Sequence, residues 1–123
     1  VPSIPMVRHE LPLHSDAARL IAGCDLLVAE RLHAIVMASI LGVPSYVLSY
    51  DVKVRELAAI LGIEEWSVDI NEPFDGTEVG DRIVRLIGQR VDVAAGLLAR
   101  SAELGAAAQS NFAAAREWVA TAR

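Results

Sequence analysis

The sequence predicts an α/β fold built on a parallel sheet. Short β-rich apolar runs, Asp25–Ala29, Ser45–Ser49 and Trp66–Ile70, alternate with longer stretches of helical period. Glycine or proline stands at the end of most of those helical stretches. The chain has 123 residues, of which 54% are hydrophobic, and a mean hydropathy of +0.39. That is enough apolar surface for one core and excludes a disordered chain.

The elements follow in order. Ser3–Val7 reads as a first strand, weakened by its prolines, and His9–Ser15 as a loop. Ser15 or Asp16 can cap a helix that runs to Ala22 and stops at Gly23. Asp25–Ala29 is a short, continuously apolar strand. Leu32–Leu41 is a helix apolar almost all round, hence expected to be buried; Gly42 ends it and Pro44 blocks continuation. Ser45–Ser49 is the next strand, Val52–Leu61 a helix stopped by Gly62, and Trp66–Ile70 a further strand. Glu78–Gln89 is amphipathic, with Val79, Ile83, Leu86 and Ile87 on one side. Val91–Arg123 is Ala-rich and helical, with a break expected near Gly105. The pattern is β-α-β-α-β-α-β-α-α, a Rossmann-like parallel sheet of four strands flanked by helices. Ligands are expected beyond the carboxyl ends of its strands. Residues 1–90 read as this α/β unit. Residues 91–123 read as a helical extension packing back on it or on another domain.

Composition narrows the function. With 11 Lys+Arg against 16 Asp+Glu the net charge is −5, unlike a protein that neutralises nucleic-acid phosphates. The longest apolar runs, such as Ala34–Ala38, fall far short of a bilayer span of about 20 residues. A single cysteine, Cys24, leaves no internal disulfide and fits a reducing, cytoplasmic setting; it reads as a small apolar filler rather than a nucleophile. The acidic stretch Glu64–Asp81 has no metal-ligand spacing and reads as solvated. Dinucleotide and P-loop glycine motifs are missing. The chain begins at Val1, with no initiator Met and no signal segment, and reads as a piece of something longer.

The informative stretch is Glu30-Arg31-Leu32-His33-Ala34, then Gly42-Val43-Pro44, then Tyr50-Asp51-Val52-Lys53-Val54. Arg31 and His33 fall just past a strand's carboxyl end, in the first turn of the apolar helix. Unpaired backbone N–H groups and the helix dipole favour an anion there. A guanidinium fork and an imidazole suit a phosphate or carboxylate, and charged groups on an apolar helix demand polar partners. Tyr50, Asp51 and Lys53 fall at the next strand's end and border the same crevice. Asp51 reads equally as a helix cap or as a catalytic carboxylate. Lys53 is the only lysine among eleven basic residues; it reads as a required point charge or as a solvated surface group. His9 and His14 lie on the presumed ligand side as weaker binding candidates.

These motifs, in this order and spacing over Cys24–Gly62, resemble the carboxyl-terminal half of polysaccharide pyruvyl transferases. The family shows a strand ending in Arg-Leu-His-Ala, an apolar helix, Gly-Val-Pro, a strand, and Tyr-Asp-Pro-Lys-Val. The resemblance implies a GT-B-like pair of Rossmann-type domains, of which this chain is the C-terminal, donor-binding one. It implies transfer of the pyruvyl group of phosphoenolpyruvate to two hydroxyls of a cell-surface polysaccharide or its lipid-linked precursor, forming a pyruvate ketal and releasing phosphate. Arg31, His33 and Lys53 then map to the family's donor-binding and catalytic positions; position adds Leu32, Tyr50 and His14 as substrate-binding candidates and Asp51 as a candidate catalytic base beside a residue of the other domain. No cofactor and no metal are implied. The implied partners are phosphoenolpyruvate, a glycan acceptor and an N-terminal domain, with a homo-oligomer left open by the sequence; the location is cytoplasmic, extending to the inner face of the membrane. This piece alone is expected to fold without turning over. Val52 replaces the family's proline and loses only a preset helix start. Glu30 stands where the family more often has an uncharged residue. Two other readings fit an α/β unit: a nucleotide-sugar glycosyltransferase or epimerase domain, distinguished by binding a UDP-sugar and not phosphoenolpyruvate, and a noncatalytic interaction module, indifferent to His33→Ala.

Overall fold

The computed structural model describes residues 14–121, with side chains from Asp16 onward. The strand expected over Ser3–Val7, His9, and the side chain of His14 lie outside the described residues. Within them the order is α1 (His14–Ala22), β1 (Leu27–Ala29), α2 (Leu32–Ile40), β2 (Ser45–Ser49), α3 (Val52–Leu61), a 3-10 turn (Glu64–Trp66), β3 (Ser67–Asp69), α4 (Gly76–Gly88) and α5 (Arg90–Thr121). The chain is mixed α/β and mostly helical.

Among the described residues the sheet has three parallel strands in the order β1-β2-β3. Leu27, Val28 and Ala29 pair with Ser45, Tyr46 and Val47, and Val47, Leu48 and Ser49 with Ser67, Val68 and Asp69. Consecutive parallel strands lying side by side are the outcome of right-handed crossovers that all step the same way. That puts α2 and α3 on one face, where they contact each other and β2.

The two βα units end alike. After α2, Gly42 N–H donates to Ser39 O at 3.2 Å and Val43 N–H to Ala38 O at 2.8 Å. After α3, Gly62 N–H donates to Ala59 O at 3.1 Å and Ile63 N–H to Ala58 O at 2.9 Å. Each is a Schellman ending, and each needs its glycine at positive φ, 70° and 72°. The apolar residue that follows, Val43 or Ile63, is buried, which turns the chain back into the sheet.

The core joins Ala29, Ile35, Tyr46, Val47, Val54, Ala58, Leu61, Ile63, Trp66, Leu86 and Leu97. Alternation along β2 points Tyr46 away from Val47, toward α4, where the Arg82 guanidinium lies 6.0 Å from its ring centroid. Arg82 also donates to the carbonyls of Glu65 and Ser67.

Several expectations are corrected. β1 spans Leu27–Ala29 rather than Asp25–Ala29, and Val28, on the Tyr46 face, is 46% exposed. α2 is buried along one side only; His33 and Ile40 are exposed, because a helix laid on a sheet turns one face to solvent. Trp66 belongs to the 3-10 turn and anchors it in the core. α4 starts at Gly76, capped by Asp75, whose side chain accepts from Thr77 N–H at 2.9 Å. α5 runs unbroken through Gly105. A lone glycine costs about 1 kcal/mol relative to alanine, which the surrounding alanines outweigh.

α5 begins at the amino edge of the sheet. Its first turns share clefts with Asp25 and Pro44 at one end and with Gly62, Ile63 and Trp66 at the other, which are the entrances to β1, β2 and β3. Leu97 is buried there, and Arg100 Nε donates to Ile60 O at 2.8 Å. α5 also packs on α2, α3 and α4. The carboxyl edge of the sheet lies at the other end.

Candidate functional site

The carboxyl edge carries three strand-to-helix or strand-to-loop junctions. The first is Ala29-Glu30-Arg31-Leu32-His33. Arg31 is the cap residue of α2, with extended backbone (φ −84°, ψ 128°), and no side chain caps the helix. Its first N–H groups therefore have no side-chain acceptor. Leu32 packs against the core, which fixes the register of the turn, and Arg31 and His33 on either side of it are exposed. The expectation that these groups sit in a costly buried setting is corrected. The junction lies at the rim of the sheet, so both reach solvent and demand no internal partner. Among the described residues neither makes an ion pair.

The second junction is Ser49-Tyr50-Asp51-Val52-Lys53. β1 and β2 are parallel with Ala29 opposite Val47, and β2 runs on to Ser49, so this junction lies on the neighbouring strand and two residues, roughly 7 Å, farther along the strand direction. Asp51 is the cap of α3: its Oδ1 accepts from Val54 N–H at 2.9 Å. Ser49 Oγ donates to Asp51 O at 3.4 Å. The cap role read for Asp51 is thus present in the structure. Tyr50 and Lys53 are exposed, and Lys53 makes no ion pair among the described residues.

The third junction carries no sequence motif. Ile70 N–H donates to Ser49 O at 2.9 Å, and Asn71 Nδ2 to Tyr50 O at 2.6 Å. Asp69 accepts from Asn71 N–H through Oδ1 at 2.9 Å and from Arg55 through Oδ2 at 2.8 Å. Arg55 is therefore consumed by a carboxylate, while Asn71 ties the Tyr50 loop to the end of β3. The signal available in the sequence is position alone: Asp69 and Asn71 follow a strand's carboxyl end.

The two helix ends differ electrostatically. At α3 the Asp51 carboxylate already occupies the amino terminus. At α2 no side chain caps that place; Arg31 and His33 flank it, and the exposed Glu30 carboxylate directly precedes them. An anion is better placed at α2 than at α3. Among the described residues no group of three or more His, Cys, Asp or Glu is arranged to hold a metal ion, and no helix is long and apolar enough to cross a membrane.

Fold and rim together define an α/β unit whose strand ends carry a mixed-charge edge, with Arg31 and Lys53 beside Glu30 and Asp51. A sequence model of the polysaccharide pyruvyl transferase family matches residues 15–52, a stretch well under half of the chain. It takes in α1, β1, α2 and β2 with Arg31, His33 and Asp51, stops one residue short of Lys53, and supports the resemblance read from these motifs. No curated protein and no solved structure matches the chain.

Proposed function

We propose that this chain is the donor-binding, C-terminal part of a polysaccharide pyruvyl transferase of GT-B-like build. Residues 1–90 form the α/β unit, and residues 91–123 a helical extension. The observation that carries the reading is the coincidence of the family match over 15–52 with an uncapped helix amino terminus between Arg31 and His33.

Phosphoenolpyruvate carries a phosphate and a carboxylate. The α2 terminus and the Arg31 fork receive one anionic group, and Lys53 approaches from the neighbouring junction. His33 delivers a proton to the methylene carbon, which becomes the methyl group of the product. A sugar hydroxyl attacks the resulting oxocarbenium-like carbon. The C–O bond to phosphate breaks, inorganic phosphate leaves with Arg31 and Lys53 offsetting its charge, and a second hydroxyl closes the ketal. Each hydroxyl gives up its proton. Asp51 has one oxygen left for that task beyond its cap bond; an N-terminal domain supplies the alternative base, the acceptor site and the remaining donor contacts. Tyr50 borders the pocket, with Leu32 beneath it holding the turn to the core. The donor is a substrate, and the reading needs no cofactor. The acceptor is a glycan or its lipid-linked precursor met in the cytoplasm or at the inner membrane face.

The test is phosphate release from phosphoenolpyruvate by the complete gene product, with and without a panel of glycosides. Arg31→Ala, His33→Ala and Lys53→Ala are each expected to lose at least about tenfold, or about 1.4 kcal/mol of transition-state stabilisation. Acceptor-dependent release unchanged in all three variants sinks the assignment. Binding of a UDP-sugar without phosphoenolpyruvate points instead to glycosyl transfer.

A further inference from the structure

The distal half of α5 has no partner within the described chain: from Gly105 to Thr121 every side chain is exposed, with Phe112 72% and Trp118 71% exposed. Its sequence is not random. Val91, Leu98, Gly105, Phe112 and Val119 recur at intervals of seven, and three residues after each of the first four stand Ala94, Ser101, Ala108 and Ala115. An apolar or small stripe of period 3.5, sustained over four heptads, is what a left-handed helix pair requires. In its proximal half the same stripe, through Leu98, Ser101 and Gly105, borders an apolar groove of about 610 Å³ shared with Val36 and Ile40 of α2 and Leu57 of α3. The seam is thus continuous with a packing face of the chain, and it leaves that face open at one end and bare at the other.

We propose that α5 pairs antiparallel with α5 of a second copy, so that the tip of each helix fills the other copy's groove. One register sets each bulky residue of the distal stripe against a small one. Phe112 faces Ala108 and Val119 faces Ser101, each bulky residue meeting a small one, while Gly105 and Ala115 set two small residues together. Beside the seam Leu104 meets Trp118, and Asn111 meets its own counterpart. Arg116 lies beside Ala102, while Glu103 and Glu117 point outward, so no like charges oppose across the pair. In this register the Trp118–Val119 tip reaches the level of Ser101–Gly105, where the groove is. The two-fold exchange closes on itself and forms no chain of copies. Two Phe and two Trp remove up to roughly 600–1,000 Å² from water at about 150–250 Å² each. Val119, Leu98 and Ile40 bring the total to the lower range of specific interfaces, about 1,200 Å².

Sedimentation equilibrium of this chain is expected to give a dimer. Phe112→Glu places a charge in the seam twice per dimer and is expected to weaken dimerisation at least about a hundredfold, a decade for each copy. Ala113→Glu, with the same charge off the seam, is expected to leave the dimer and the far-ultraviolet helical signal intact. On a Cys24→Ser background, Asn111→Cys is expected to link to itself through a short bismaleimide, and Leu98→Cys, far from the two-fold, is not. A monomer throughout overturns the proposal, including one in which another domain of a longer protein covers the stripe. So does a dimer indifferent to Phe112→Glu, and so does equal linking at both cysteines, which denotes a parallel pair.

Discussion

At the scale of single residues, Asp51 is where structure and the proposed chemistry meet. Its carboxylate holds the α3 amino terminus through Val54 N–H. Asp51→Ala is expected to lower stability by about 0.5–2 kcal/mol in denaturant melts, and any loss of turnover must be separated from that. Asp51→Asn preserves the acceptor oxygen and the fold, so a drop in rate with unchanged stability would mark a proton-transfer role. The two left-handed glycines give a second comparison. A Cβ at Gly62 meets nothing within 4 Å, whereas at Gly42 it falls 2.9 Å from Leu98 Cγ and Cδ1. Gly62→Ala is expected to cost only the conformational strain, about 1–2 kcal/mol; Gly42→Ala costs that strain and also displaces Leu98, so its thermal midpoint falls further. Tyr46 is the third case. Its hydroxyl is buried with no hydrogen-bond partner among the described residues, and burial, opposed by Arg82, raises its pKa above the ordinary value of 10.0. A raised acid pKa means that folding favours the neutral phenol. The chain is fully stable with respect to this group below pH 10 and loses stability as pH rises above it. Tyr46→Phe is expected to remove that alkaline loss and to hold or raise stability at neutral pH.

At the scale of elements, helix boundaries were the most legible feature. Gly42 and Gly62 announce their Schellman endings in the sequence, and the apolar residue after each goes where the motif sends it. Strand environment was less legible. Leu26–Ala29 is continuously apolar, yet Val28 faces an open side of the sheet; composition cannot show which neighbour is present. The predicted break at Gly105 failed because local propensity summed over a run of alanines exceeds one glycine's cost. The rim residues Arg31, His33, Asp51 and Lys53 were legible through position after strands. Asn71 and the Arg55–Asp69 pair were not, since they depend on β3 lying beside β2. Within α5, a Cβ at Gly96 meets nothing within 4 Å, and Gly96→Ala is expected to raise stability by about 0.5–1 kcal/mol in the same melts.

At the scale of the whole molecule, the strands enter at one edge and leave at the other, and α5 is laid across the entrance. Burial of Leu97 and the Arg100 bond to Ile60 O tie this late helix to residues some forty positions earlier. The core is consequently incomplete until that helix is present. Losing a buried leucine alone costs about 2–5 kcal/mol, against a typical domain's margin of about 5–15 kcal/mol. A synthesis intermediate ending before Arg90 is expected to be digested readily by protease, while one extended through Ala106 resists. On the ribosome, then, the sheet waits for residues still inside the exit tunnel, and a nascent chain stays vulnerable well after its last described strand has emerged.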